Sequence, residues 1–129
     1  MILIGAFILG LDLILQVIFR FNNFGLENRG VSFGVVAENG LNISLIVFFI
    51  FIVIYFYQLH KYRKISLFYS LIALGGVGNI INRLIWGSVW DYICLPILPF
   101  CFNLSDILIC IGVLSYILGI DGNRDPFRR

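Results

Sequence analysis

Asp91 in WDYI and Asp106 in FNLSD, two carboxylates separated by 14 residues, form the pair in this chain best suited to chemistry. Carboxylates held a few ångströms apart cannot both ionise easily, so such a pair shares a proton. One member can then take a proton from water while the other, protonated, polarises a carbonyl, which is aspartyl hydrolysis. Each residue also has a simpler account. Asp91 could be a solvated loop residue, and Asp106 could complete a capping box with Asn103 at the start of a helix.

A second group of polar residues sits among apolar runs. Asp12 interrupts the first of them, where an ionisable side chain costs about 2.5 to 3.5 kcal/mol even on a lenient insertion scale and usually marks function. Asn79 and Arg83 are spaced i, i+4, so they share one helix face. Gly75, Gly76 and Gly78 just before them would let another helix approach closely, and no P-loop context surrounds them. Asp12 and Asn79 fall at similar depth, each about a dozen residues from one membrane face, so they could meet and Arg83 could answer the Asp12 carboxylate. The plainer reading is that Asn79 and Asn82 glue helices together while Arg83 snorkels to the interface.

Composition dictates what must position these groups. The 129 residues are 60% hydrophobic and 12% charged, with a mean hydropathy of +1.00. Soluble domains use roughly 45 to 50% apolar residues, so this is the composition of a membrane protein. A net charge of +2, scattered along the chain, argues against a nucleic-acid surface. Four apolar segments approach the roughly 20 residues that a helix needs to cross the hydrocarbon core: 1–20, 41–58, 65–86 and 104–120. The first lacks a basic n-region and a cleavage site, so it reads as a retained helix. A single integral membrane domain over 1–129 is expected.

Lys61, Arg63 and Lys64 lie between the second and third segments, and Arg124, Arg128 and Arg129 follow the fourth. The positive-inside rule puts both groups, and both termini, on the cytoplasmic side. Segments 21–40 and 87–103 then face outward. The first, with NFGLENRGVSFGVV, is punctuated by Gly30 and Gly34 and suggests short strands at the membrane surface. The second, WDYICLPILPFCFN, with Pro96 and Pro99, reads as an interfacial loop resting on lipid. His60 falls in the cytoplasmic loop, in a solvated or interfacial role. Cys94, Cys101 and Cys110 lack zinc-type spacing and read as packing residues, although Cys94 and Cys101 could pair in an oxidising compartment.

The run GGVGNIINRLIWGSVWDYI followed by FNLSD resembles the paired signature of bacterial lipoprotein signal peptidase, the signal peptidase II family. ENRGVSFG, residues 27–34, is similar to that family's N-x-G-x-[AS]-F segment, and Asp12 falls where its first helix carries an acidic residue. The resemblance implies a catalytic pair at Asp91 and Asp106, with Asp12, Asn28, Gly30, Asn79, Arg83 and Asn103 lining or bracing the site. It implies an aspartic endopeptidase, needing neither metal nor cofactor, that cleaves diacylglyceryl-modified prolipoproteins immediately before the lipidated cysteine. The implied fold is an all-α membrane protein of four transmembrane helices, with a small outer-face β cradle and an interfacial loop. The implied location is the bacterial inner membrane, with the site near the outer face. The expected partners are the lipid-modified substrate and membrane lipid, and a monomer would suffice.

Three positions depart from the family pattern. Asn82 stands where the motif usually has Asp, Gln16 where Lys is common, and Ser105 where Ala precedes the second dyad residue. One positive and one negative charge are lost together, so compensation between Asn82 and Gln16 is expected. The rival functions are a lipopeptide-binding relative whose dyad is silent and a small transporter or channel subunit using Asp12, Asn79 and Arg83 as a polar pathway.

Overall fold

Apolar runs free of internal proline fold as helices, because backbone groups in a hydrocarbon environment must be satisfied within the segment. A computed structural model of the chain describes residues 2–30, 40–62 and 67–118. It contains α1 (Ile2–Phe21), β1 (Leu26–Asn28), α2 (Gly40–Tyr62), α3 (Leu67–Trp86), β2 (Val89–Asp91), β3 (Ile93–Cys94), β4 (Cys101–Phe102) and α4 (Leu104–Ile117). The molecule is mostly helical. α1, α2 and α3 are long and apolar enough to cross a membrane, whereas α4 is apolar but has 14 residues. At about 1.5 Å per residue its described length falls short of a hydrocarbon core about 30 Å thick. Residues 119 and 120 of the expected fourth segment lie outside the described residues, as do Gly34, Arg63, Lys64, Arg124, Arg128 and Arg129.

α3 is the central helix, packed against α1, α2 and α4. Its small residues explain how. A Cβ at Gly75 would run into the Ser105 carbonyl oxygen, and one at Gly78 into the Ser105 hydroxyl. From the other side, a Cβ at Gly112 of α4 would lie 2.9 Å from Ile72 Cγ1. α3 and α4 are therefore in backbone-close contact, as small residues at membrane helix interfaces permit. Gly76 faces the other way, toward the ring of Phe48 on α2.

Burial is inverted relative to a soluble protein. Asp12, Gln16, Asn79, Asn82, Arg83, Asp91, Asn103 and Ser105 are buried, while Leu3, Phe7, Ile46, Phe49, Ile85 and Ile117 are exposed. A polar centre inside an apolar exterior is stable where the surroundings are lipid.

α3 ends at Gly87, whose φ of +74° is the left-handed geometry of a helix C-terminus, and its N–H donates to Arg83 O at 2.9 Å. The chain then enters β2, which pairs antiparallel with β1 in the register Leu26↔Asp91, Glu27↔Trp90 and Asn28↔Val89. Gly25, with φ +109°, makes the turn into β1 while lying against the backbone of Asp91 and Tyr92, where a Cβ would collide with Asp91 O. Of the short strands expected in 21–40, β1 is present with a partner from beyond α3, while residues 31–39 lie outside the described residues.

Segment 87–103 differs from the expected loop. β3 and β4 pair antiparallel with Ile93 opposite Phe102 and Cys94 opposite Cys101, and a Cys94–Cys101 disulfide closes the hairpin. Pro96 and Pro99 occupy its turn, where their missing N–H groups cost no ladder bond, and Ile97 at the tip is 86% exposed. His60 also departs from expectation, lying in the last turn of α2 rather than in a loop, because α2 runs to Tyr62.

Candidate active site

α4 begins with a capping box. Asn103, extended at φ −127° and ψ 177°, accepts from the Asp106 N–H through its side-chain oxygen at 3.0 Å. Asp106 Oδ2 accepts from the Asn103 N–H at 3.2 Å. One of the two simple accounts holds: Asp106 does stabilise the helix start, whereas Asp91 is buried, not solvated.

The cap also links the two carboxylates. Asn103 Nδ2 donates to Asp91 Oδ1 at 2.8 Å and to Asn79 Oδ1 at 3.2 Å. Asn79 Nδ2 in turn donates to Asp106 Oδ1 at 2.8 Å, and Asn28 Nδ2 donates to Asp91 Oδ2 at 2.8 Å. Each of the four carboxylate oxygens thus accepts one amide N–H. These donors fix position without supplying charge. Cationic charge comes from Arg83, which interacts electrostatically with both Asp106 and Asp91. Its guanidinium donates to Gly30 O at 2.8 Å, while its buried Nε has no hydrogen-bond partner among the described residues.

Asp91 lies beyond the end of α3, and burial pushes its carboxyl above the ordinary value, opposed by the hydrogen bonds from Asn28 and Asn103 and by Arg83. Desolvation of the charged form is the dominant cause. A group so placed holds a proton more readily than a surface carboxylate, which suits one half of a proton-sharing pair.

Asp91, Asp106, Asn28, Asn79 and Arg83 contribute to the lining of a cavity of about 400 Å³. The rest of its wall is largely apolar, from Val47, Phe48 and Phe51 on α2, Ile72 and Ile80 on α3, and Ile109 and Cys110 on α4. Polar chemistry therefore borders an apolar slot. Among the described residues no group of three or more His, Cys, Asp or Glu side chains is placed to hold a metal ion.

Gly30 contributes backbone only: its carbonyl receives Arg83, and its N–H donates to Asn28 Oδ1 at 3.0 Å. Asp12 is fully buried but meets neither Asn79 nor Arg83 as expected. Its Oδ1 accepts from Tyr92 OH at 2.7 Å and Leu104 N–H at 3.1 Å, and its Oδ2 accepts from Gln16 Nε2 at 2.8 Å and from the Ser105 hydroxyl. The α3 glycines admit α4 between themselves and Asp12, so α4 and Tyr92 claim the carboxylate. Asn82 Nδ2 donates within its own helix, to Gly78 O at 3.1 Å. Gln16 and Asn82 therefore make no hydrogen bond to each other, and the structure gives no direct route for the expected compensation between them.

Tyr92 and Ser105 are site-supporting residues that motif reasoning did not select. Tyr92 could have been suspected from its place beside Asp91, and its phenol is pushed upward chiefly by burial. Arg20 is a further brace: its guanidinium carbon lies 5.1 Å from the ring centroids of both Trp86 and Trp90, and it donates to Ser88 Oγ and O at 3.1 and 3.2 Å. Ser88 Oγ donates to Glu27 Oε1 at 2.8 Å, tying β1 to the same group. That hydrogen bond is the main reason the Glu27 carboxyl lies below its usual value.

Apolar helices closed around a buried polar centre, with two carboxylates bordering a largely apolar cavity, define a multi-pass membrane protein. A family model described as signal peptidase (SPase) II matches residues 2–120, and the chain belongs to that family. It is 35% identical over 104 residues to the lipoprotein signal peptidase of Pelagibacter ubique, covering 75% of this chain and 63% of that one. It is 37% identical over 95 residues to the lipoprotein signal peptidase of Halothermothrix orenii, covering 72% and 65%. The chain thus spans slightly less than two thirds of the length of these relatives. Two solved bacterial membrane enzyme structures share the fold, with TM-scores of 0.76 and 0.74 at 24% identity. They cover 99% and 95% of this chain, each over 92% of its own length.

Proposed function

We propose that this protein is a membrane aspartic endopeptidase that removes the signal peptide from diacylglyceryl-modified prolipoproteins, cleaving before the lipidated cysteine. The observation that carries the reading is the cavity, which sets Asp91 and Asp106 against an apolar slot. A lipidated cysteine needs both, because its acyl chains must stay in an apolar environment while the adjacent amide meets water. Family membership supports the same reading.

Asp91 and Asp106 act as a dyad sharing one proton. The ionised member takes a proton from water as the water oxygen bonds to the scissile carbonyl carbon, and the protonated member hydrogen-bonds the carbonyl oxygen. The tetrahedral intermediate collapses with breakage of the C–N bond, and the pair delivers a proton to the leaving amine. Asn28, Asn79 and Asn103 orient the carboxylates, and Arg83 offsets their negative charge. Asp12 and Gly30 brace these groups from behind. In the membrane, α4 serves as a fourth span, both termini are cytoplasmic, and the sheets and the dyad lie near the outer face. The protein works as a monomer, with the lipidated substrate and surrounding lipid as its partners.

The test is cleavage of a diacylglyceryl-modified prolipoprotein by the purified protein. Asp91→Asn and Asp106→Asn should each lower turnover by at least about 10²-fold while leaving thermal unfolding intact. Cleavage by either variant at the wild-type rate would overturn the dyad. Substrate binding without cleavage by the wild type would overturn the enzymatic reading.

A further inference from the structure

Asp12 and Gln16 occupy one face of α1, a helical turn apart, and neither is exposed. Between them they hold the chain on both sides of Asp91. Gln16 Oε1 accepts from the Trp90 N–H at 3.1 Å, and Asp12 Oδ1 accepts from the Tyr92 hydroxyl at 2.7 Å. The same two oxygens of Asp12 hold the residues that precede Asp106. Oδ1 accepts from Leu104 N–H, and Oδ2 from the Ser105 hydroxyl. One side-chain pair on α1 therefore touches the immediate neighbours of both members of the dyad and neither member itself.

The oxygens of Asp12 divide this work. Oδ2 receives two neutral donors, Gln16 Nε2 and the Ser105 hydroxyl, which together fix the rotation of the carboxylate. Oδ1 is thereby aimed at Tyr92 and Leu104. Ser105 can reach this oxygen because Gly78 leaves its side of α3 open, since a Cβ there would occupy the position of the Ser105 hydroxyl. A buried carboxylate stripped of these donors would reorient toward other partners. Its grip on Tyr92 and Leu104 would then loosen, and the two acids would lose their common reference.

We infer that Gln16 and Ser105, acting through the Asp12 oxygen on which both donate, are positioning residues that set the placement of Asp91 relative to Asp106. The inference rests on the endopeptidase reading for its kinetic consequence, but its structural part can be measured separately.

Ser105→Ala, Gln16→Met and the double variant are compared with wild type in cleavage of the lipidated prolipoprotein. Amide hydrogen exchange is recorded on the same full-length samples. Each single variant should lower kcat about ten- to a hundred-fold with KM within about two-fold, because misplacement of reacting groups costs about that much. The double variant should fall short of the product of the two effects, since both residues donate to one oxygen, with Gln16→Met also removing the acceptor of the Trp90 N–H. Exchange should quicken in residues 89–92 and 103–106 together. Unchanged kcat, a rise in KM alone, fully multiplicative effects, or quickened exchange in only one of the two segments would overturn the inference. If Gln16→Met fails to fold, Ser105→Ala alone still decides through the kcat and exchange readouts. If wild type does not cleave, the endopeptidase reading fails, and coupled exchange at the two segments still decides whether Gln16 and Ser105 hold them.

Discussion

Replacing Asn103 with Ala would remove three side-chain functions at once. The side chain caps α4 by accepting from Asp106 N–H, donates to Asp91 Oδ1 at 2.8 Å, and donates to Asn79 Oδ1 at 3.2 Å. Loss of an N-cap costs about 0.5 to 2 kcal/mol, and loss of a hydrogen bond to a charged group about 1.5 to 3 kcal/mol. Together they predict that Asn103→Ala destabilises the protein by about 2 to 5 kcal/mol. The titration consequence has a definite sign. Burial already places Asp91 above the ordinary carboxylate range, and the Asn103 hydrogen bond opposes that rise. Without it, the Asp91 pKa climbs further, so the limb of kcat/KM that reports Asp91 moves to higher pH. A carboxyl raised on folding favours the folded state when protonated, and that contribution is lost as pH rises through the folded value. The stability deficit of Asn103→Ala should therefore be smaller at acid pH than at neutral pH. Denaturant unfolding in detergent at several pH values, with a pH profile of cleavage, measures both. A deficit under about 1 kcal/mol, or a pH profile of kcat/KM in which neither limb moves to higher pH, would refute this account of Asn103.

Gly78→Ala should cost about 1 to 3 kcal/mol by overpacking, since its methyl meets the Ser105 hydroxyl and comes within 2.8 Å of Leu9 Cδ1. Gly10→Ala, with nothing within 4 Å, should be neutral or slightly stabilising in the same unfolding assay, and equal losses at both positions would contradict the packed seam. Removing the disulfide by Cys94→Ser and Cys101→Ser should lower stability by about 2 kcal/mol. A reductant should reproduce that loss in wild type and leave the double variant unchanged; a wild type indifferent to reductant would show that the cross-link contributes nothing.

The helices were legible because a membrane segment advertises itself by unbroken hydropathy, and α1 and α3 end within two residues of the sequence reading. The pair Asp91 and Asp106 was legible through motif, and so were the residues nearest it, because Asn28, Asn79, Arg83 and Asn103 act through side chains of fixed type at fixed spacing. What hydropathy could not supply was lateral order. Asp12 and Asn79 share a depth, yet depth says nothing about which helix lies between them. That depended on Gly75 and Gly78 admitting α4 so closely that its first turn takes the Asp12 carboxylate. The strand pairing was not legible for a related reason. β1 has three residues, too few to announce a partner, and its partner is brought to it by the end of α3. The hairpin of β3 and β4 was hidden because prolines in an apolar segment read equally as loop and as turn.

Strands of two and three residues cannot persist alone in water or at a membrane surface. The side chains around the cavity and its supports are drawn from positions as far apart as Asp12 and Asp106, on α1, β1, α2, α3, β2 and α4. No half of the chain contains a working arrangement. On the proposed endopeptidase reading, a chain that has inserted only its first helices would therefore carry no hydrolytic capacity against its neighbours or itself. Asp106 is held against α3 through Ser105 at Gly75 and Gly78, so on that reading completion of insertion and acquisition of activity would be the same event.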